Sequence, residues 1–209
     1  MRKLIWAISG IMFLAACNTG NSTKTLPIFG ERTPVTKTVD GKPVTDTLYQ
    51  TIPPFKFVNQ YGDTISNKNL DGKIYVADFF FTSCPSICPI MQRNMLLVYN
   101  EFKSDPNVKI LSHTIDPKHD SVPVLKDYAD KLGIQGNSWW LLYGQKEEIY
   151  QLAEKHYLTR VNDGKDGLIH EGWFLLVDKQ KRIRGSYDGT IPEQVKQLIA
   201  DMHTLQLEK

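Results

Sequence analysis

The stretch from residue 74 to residue 89 constrains the fold more than any other part of the sequence. Residues 74–81, IYVADFFF, are apolar except for one aspartate, and such a run is typical of a strand buried on both faces of a sheet. A strand of this kind needs packed layers on both sides. Cys84 and Cys88 follow at once, each with a proline directly after it. The sequence therefore places two thiols at the carboxyl end of a central strand.

Helix and strand patterns alternate along most of the remaining chain. Spaced apolar residues with capping signals predict helices, and short apolar runs predict strands. The predicted helices are 91–102, 121–132, 146–155 and 191–205, the predicted strands are 108–115 and 139–142, and hairpins are predicted at 55–65 and 171–187. This order indicates an α/β fold with three layers and a mixed central sheet, preceded by an N-terminal hairpin.

The N-terminus has the pattern of an export signal. A basic start is followed by an apolar segment at residues 4–13, too short to span a membrane, and then by Leu14-Ala15-Ala16-Cys17. This ending resembles a bacterial lipobox, which implies that residues 1–17 are a lipoprotein signal peptide with a lipidated Cys17 as the mature N-terminus. The alternative is an ordinary signal peptide cleaved nearby, which would leave Cys17 as an unmodified thiol. Lipidation would anchor the protein to a membrane on its extracytoplasmic, periplasmic side.

The segment after the signal differs in composition from the rest of the chain. Residues 18–51 are rich in threonine, proline, glycine and asparagine, with few large apolar residues. This composition predicts a tether followed by an irregular arm. The apolar residues 26–30 are the part expected to dock on the body, and residues 52–209 are expected to form the folded domain.

Charge and cysteine content narrow the possible functions. The chain has 25 basic and 23 acidic residues and a formal net charge of +2, and two of the basic residues lie in the signal peptide. A mature chain near neutrality gives no indication of a nucleic-acid partner. If lipid occupies Cys17, only Cys84 and Cys88 remain, which is too few for a stabilising disulfide framework.

Proline placement predicts the local geometry of the two remaining cysteines. A helix through both would hold Pro89 in its interior, so the helix is expected to begin at Pro89. Cys88 then lies at or beside the N-cap and Cys84 in the preceding loop, where the helix dipole favours thiolate at both. A disulfide across so short a loop would stabilise by only roughly 2 kcal/mol. A functional pair, redox-active or metal-binding, is therefore the better interpretation.

The sequence around these cysteines also resembles a known family. FFTSCPSICP, residues 80–89, is similar to the F-x-x-x-C-P-x-x-C-P signature of the Sco/SenC family of the thioredoxin superfamily. Asp116-Pro117 with Asp120, and His170 ahead of the apolar strand at 173–178, resemble further family motifs. The resemblance implies a thioredoxin-like fold and one copper ion bound by Cys84, Cys88 and His170. It also implies a role in delivering copper to the binuclear copper centre of cytochrome c oxidase, or in preparing the cysteines of that centre.

The chemistry of the residues is compatible with this resemblance. Two thiolates and one imidazole form a soft donor set that suits Cu(I) and can hold Cu(II), whereas structural zinc normally takes four protein ligands. His170 is the expected third ligand and His119 the alternative. The remaining histidines, His113, His156 and His203, are expected to be structural or solvated.

The sequence leaves undecided the roles of two aspartates, and it is also compatible with one alternative function. Asp116 either caps the next turn or orients His170. Asp78 either lies at an exposed edge or forms a hydrogen bond to a neighbouring loop, or it is a buried acid with a raised pKa whose proton is coupled to the thiols. The rival function is a metal-independent thiol-disulfide oxidoreductase acting on exported proteins. In that enzyme Cys84 would attack the substrate disulfide and Cys88 would resolve the intermediate.

Overall fold

The computed structural model describes residues 25–164 and 167–208. The predicted signal peptide, the predicted lipidation site Cys17 and the first part of the tether lie outside these ranges. Within them, no helix has both the length and the apolar character required to cross a membrane.

The secondary structure follows the predicted alternation from residue 52 onward. The strands are β1 (Arg32–Val39), β2 (Lys42–Tyr49), β3 (Lys56–Asn59), β4 (Thr64–Ser66), β5 (Ile74–Phe80), β6 (Val108–Thr114), β7 (Trp139–Tyr143), β8 (Val161–Gly164), β9 (Gly167–His170), β10 (Trp173–Val177) and β11 (Ile183–Asp188). The α-helices are α1 (Cys88–Phe102), α2 (Val122–Lys131), α3 (Lys146–Gln151) and α4 (Pro192–Leu207). A π-helical turn, Leu152–His156, continues α3.

A mixed seven-stranded sheet forms the centre of the molecule, in the order β11-β10-β5-β6-β7-β3-β4. Strands β5, β6 and β7 are parallel, and antiparallel hairpins complete both edges. All seven residues of β5 are buried, so both faces of the sheet are covered there. The predicted three-layer α/β architecture with a mixed sheet and an N-terminal hairpin is confirmed.

The register of the parallel strands determines where the functional loops meet. Phe80 at the end of β5 pairs with Thr114 at the end of β6. The loop that carries Cys84 and the loop that follows Thr114 therefore leave the sheet at the same edge. Helix α1 starts at this edge and packs against α4, which also contacts β5 and β11.

The arm before the domain was predicted to be irregular, and this prediction is wrong for residues 32–49. Strands β1 and β2 pair along their whole length as an antiparallel ribbon, from Arg32 opposite Tyr49 to Val39 opposite Lys42. Asp40 and Gly41 form the turn, both with positive φ, at 50° and 75°. An Asp-Gly turn of this kind matches the twist of a two-residue hairpin, and this local signal could have predicted the ribbon.

The apolar segment before the ribbon docks on the body, as predicted. Leu26 is buried, and the guanidinium of Arg184 donates hydrogen bonds to the carbonyl oxygens of Leu26 at 2.6 Å and Pro27 at 3.0 Å. Arg184 lies near the start of β11, which pairs with β10. Val177 at the end of β10 pairs with Tyr75 near the start of β5, so Arg184 is close to the beginning of the central strand. The docked segment therefore lies at the end of the sheet opposite the two cysteines.

Candidate metal centre

Three predicted ligands meet at the carboxyl edge of the sheet. One donor atom from each of Cys84, Cys88 and His170 lies within 4.8 Å of the others. The side chains are 8%, 1% and 7% exposed, respectively, and the two thiols are not joined by a disulfide. The structure thus brings together residues up to 86 positions apart into one buried cluster.

Cys88 is the first residue of α1, one position earlier than the predicted helix start, and Ile87 is the N-cap. Its thiol was expected to ionise easily at the helix N-terminus, and this expectation is wrong. Burial raises the pKa of Cys88 far above its ordinary value, and the negative charges of Cys84 and Asp78 raise it further. The loss of hydration is the largest cause and exceeds the opposing effect of a backbone hydrogen bond at Phe81, which lowers the pKa, so the protonated thiol of Cys88 is favoured.

Cys84 lies in the loop and behaves in the opposite way. Burial by itself raises the pKa of the Cys84 thiol, but hydrogen bonds from the backbone N–H groups of Ser86 and Cys88, and from both side chains, favour the thiolate. The net result is a pKa below the ordinary value. The two cysteines are therefore unequal, with Cys84 as the more acidic and more accessible thiol.

His170 is the last residue of β9, which pairs with β8 in a separate two-stranded hairpin. The sequence reasoning identified the histidine but not this hairpin. His170 Nδ1 lies 3.3 Å from the carbonyl oxygen of Glu171, and a carbonyl only accepts, so Nδ1 carries the hydrogen. The lone pair of Nε2 then faces Cys88 Sγ at 3.0 Å. Burial lowers the pKa of His170, with a smaller opposing effect of the Glu171 bond, which keeps this nitrogen available as a ligand.

Asp78 is a fully buried acid beneath the centre, so the edge position considered for it is wrong. Ser112 Oγ donates to its carboxyl at 2.5 Å and Gln92 Nε2 at 3.4 Å. Burial raises the pKa of Asp78 to about 7, although both hydrogen bonds lower it. Trp139 Nε1 donates to the same serine hydroxyl at 2.9 Å, which holds the group in place.

Asp116 and His119 contact each other instead of the centre. Asp116 Oδ2 lies 2.7 Å from His119 Nδ1, and the imidazole is 68% exposed. The atom that fixes the ring of His170 is the Glu171 carbonyl oxygen described above. His113 is buried among aromatic side chains in the core, and His203 pairs with Glu101 on the surface.

Asp120 is the residue near the centre whose contacts the sequence reasoning missed. Although Asp120 directly precedes Ser121, the N-cap of α2, its side chain is directed to other contacts. The Asp120 carboxylate instead accepts hydrogen bonds from Thr82, in the cysteine loop, and from Thr114 at the end of β6. The signal in the sequence was the similarity of the segment around Asp116 and Asp120 to a family motif, which does not show what the acid touches.

The fold and the centre together define a class of protein. A mixed sheet whose central strand leads through a cysteine pair into the first helix is the arrangement of thioredoxin-like proteins. The sequence profile of the SCO1/SenC family matches residues 43–206. The chain therefore belongs to the SCO1/SenC family.

Solved structures of related proteins agree with this membership. A SCO1/SenC family lipoprotein from Bacillus anthracis is 31% identical, with a TM-score of 0.70 over 75% of this chain and 95% of that one. BsSco, described as a cytochrome c oxidase assembly protein with a disulfide switch, is 30% identical, with a TM-score of 0.67 over 77% and 95%. Yeast Sco1, solved with copper bound, is 26% identical, with a TM-score of 0.58 over 74% and 89%.

Proposed function

We propose that this protein binds one copper ion through Cys84, Cys88 and His170 as cargo for cytochrome c oxidase. It would deliver the ion to the binuclear copper centre of the oxidase, or prepare the cysteines of that centre. The observation that carries the proposal is the convergence of the three donor atoms within 4.8 Å. Two sulfurs and one imidazole nitrogen suit Cu(I) and can also hold Cu(II).

Copper binding and disulfide formation would use the same two sulfur atoms. Both thiols must lose their protons to bind the ion, and the raised pKa of Cys88 makes that proton the more costly one to remove. A disulfide between Cys84 and Cys88 leaves no thiolate for copper, so oxidation would switch binding off. The disulfide switch described for BsSco is consistent with such gating.

A thiol-disulfide oxidoreductase is the second candidate, supported by the unequal thiols. The acidic Cys84 fits an attacking nucleophile, and the protonated, more buried Cys88 fits the resolving thiol. The presence of His170 at 3.0 Å from Cys88 Sγ favours the copper role, because a dithiol reductase requires no imidazole there.

The location of the protein is part of the proposal. Lipidation of Cys17 would anchor the chain to a membrane on its extracytoplasmic side, where an oxidase copper centre could be reached. The lipoprotein from Bacillus anthracis supports this. Metabolic labelling with a fatty acid tests it, because Cys17→Ala is expected to abolish labelling and membrane retention.

Copper titration of the reduced and the oxidised protein tests the proposed gating. The reduced protein is expected to bind one equivalent, and the protein oxidised to the Cys84–Cys88 disulfide is expected to bind none. Cys17→Ser serves as the matched control, since Cys17 is not one of the three proposed ligands, and this variant is expected to leave the stoichiometry unchanged. Equal binding by both redox forms would refute the gating.

A further inference from the structure

Of the three residues in the metal centre, Cys84 has the weakest support from secondary structure. Cys88 belongs to α1, and His170 ends β9 with its ring bonded to a carbonyl. Cys84 lies beyond the end of β5 in a loop whose neighbouring residues Ser83 and Pro85 are exposed. The position of its sulfur must therefore be set by contacts within that loop.

Thr82 makes the contacts that hold this loop. Its backbone N–H donates to Asp120 Oδ2 at 3.1 Å, and its hydroxyl donates to Asp120 Oδ1 at 2.5 Å. The Cys84 N–H donates to the carbonyl oxygen of Phe81 at 3.3 Å. Thr82 thus lies inside the turn that ends at Cys84, and one carboxylate binds it at two points.

Asp120 is itself firmly placed. Its side chain is fully buried, its Oδ2 also accepts a hydrogen bond from the hydroxyl of Thr114 at 2.5 Å, and its backbone N–H donates to the Asp116 carbonyl oxygen at 2.9 Å. Thr114 ends β6 directly opposite Phe80. A buried carboxylate with three hydrogen-bond donors is a rigid attachment point, because each bond to a charged acceptor is stronger than a neutral one.

We infer that Asp120 is a positioning residue that acts through Thr82 to hold Cys84 at the distance from Cys88 and His170 that copper binding requires. The inference rests on the proposed copper function. Hydrogen-bond partners one step removed from a ligand typically change metal affinity when they are lost, because the ligand is then no longer preorganised. Neither Asp120 nor Thr82 would touch the ion.

A matched pair of variants at Thr82 tests the inference. Thr82→Val keeps the shape of the side chain but removes its hydroxyl, and it is expected to weaken Cu(I) binding about tenfold. Thr82→Ser retains the hydroxyl, and its affinity is expected to stay within about twofold of the wild type. Competition with a chelator of known Cu(I) affinity measures both variants in the reduced protein.

Two further measurements separate positioning from a general loss of stability. Asp178→Asn removes the charge of a buried acid at the β10–β11 turn, far from the centre, where it binds Arg182 and Arg184. It is expected to lower stability without changing copper affinity. The Cu(II)–thiolate absorption band is expected to shift in Thr82→Val and to return to its wild-type position in Thr82→Ser.

The alkylation rate of Cys84 makes the inference testable without copper. The N–H groups that stabilise its thiolate belong to Ser86 in the loop and to Cys88 at the start of α1. A displaced Cys84 would lose these contacts, so Thr82→Val is expected to slow its reaction with iodoacetamide severalfold, and Thr82→Ser to restore the rate. A wild type that binds no copper would overturn the proposed function but leave this readout intact. Wild-type affinity and wild-type alkylation in Thr82→Val would overturn the positioning role.

Discussion

Replacing Asp78 with asparagine is expected to stabilise the protein at alkaline pH and to have little effect at acidic pH. Burial raises the pKa of this carboxyl from the ordinary 3.8 to about 7, despite hydrogen bonds from Ser112 and Gln92 that lower it. Because the folded state then holds the proton more tightly than the unfolded state, stability is highest below the unfolded-state pKa. It is lost as the pH rises towards the folded-state value.

The expected magnitude follows from the size of this pKa change. At about 1.4 kcal/mol per pKa unit, the full loss is roughly 4 kcal/mol, of which roughly 2.5 kcal/mol falls between about pH 5 and about pH 8. Asparagine has nearly the shape of the protonated acid and does not titrate. Gln92 Oε1 has no hydrogen-bond partner within the described ranges, so rotation of that amide lets it accept from the new side chain.

Urea unfolding of the reduced wild type and Asp78→Asn, at about pH 5 and about pH 8, measures the difference. The advantage of the variant is expected to grow by roughly 2.5 kcal/mol over this interval. The same comparison in a Cys84→Ser, Cys88→Ser background removes the titration of the thiols. The advantage of Asp78→Asn should still grow with pH there, since burial is the main cause of the raised pKa of Asp78. A difference that does not change with pH would show that Asp78 titrates near its ordinary value.

Three other outcomes follow from the contacts described. Limiting iodoacetamide should modify Cys84 before Cys88, as read by peptide mass mapping, and the reverse order would contradict the assigned acidities. His113→Leu should raise the free energy of unfolding by about 1–2 kcal/mol, because neither buried ring nitrogen has a hydrogen-bond partner in the part of the chain described. A clear decrease of this free energy, measured by urea unfolding, would refute the expectation. Arg184→Met should cost about 3 kcal/mol and expose the segment at Leu26 to limited proteolysis, and unchanged protease resistance would contradict the docking role.

The central part of the fold could be predicted from the sequence because its signals are local. The apolar run that became β5 and the proline beside Cys88 specify a buried strand, a loop and a helix start within a short stretch. The ribbon was missed because the threonine-rich composition was given more weight than the turn at Asp40 and Gly41. Composition indicates how much core a segment can form, but turn residues indicate whether it can pair with itself.

The contacts of the acids could not be derived in the same way. Asp120 binds Thr82 across 38 positions of sequence, and the expected ionisation of Cys88 depended on burial that only the packed structure shows. His170 was identified through family resemblance, because a single histidine carries no local signal. Long-range hydrogen bonds and desolvation thus account for what sequence patterns left open at this centre.

The central claim is that copper has three protein ligands, and a Cu(I) competition titration of the reduced protein tests it most directly. The wild type is predicted to bind one equivalent, and His170→Ala is predicted to bind at least about tenfold more weakly, which corresponds to about 1.4 kcal/mol. His119→Ala is the matched control, because that imidazole is 68% exposed and paired with Asp116, and its affinity should equal that of the wild type. Unchanged affinity in His170→Ala would contradict the three-ligand centre.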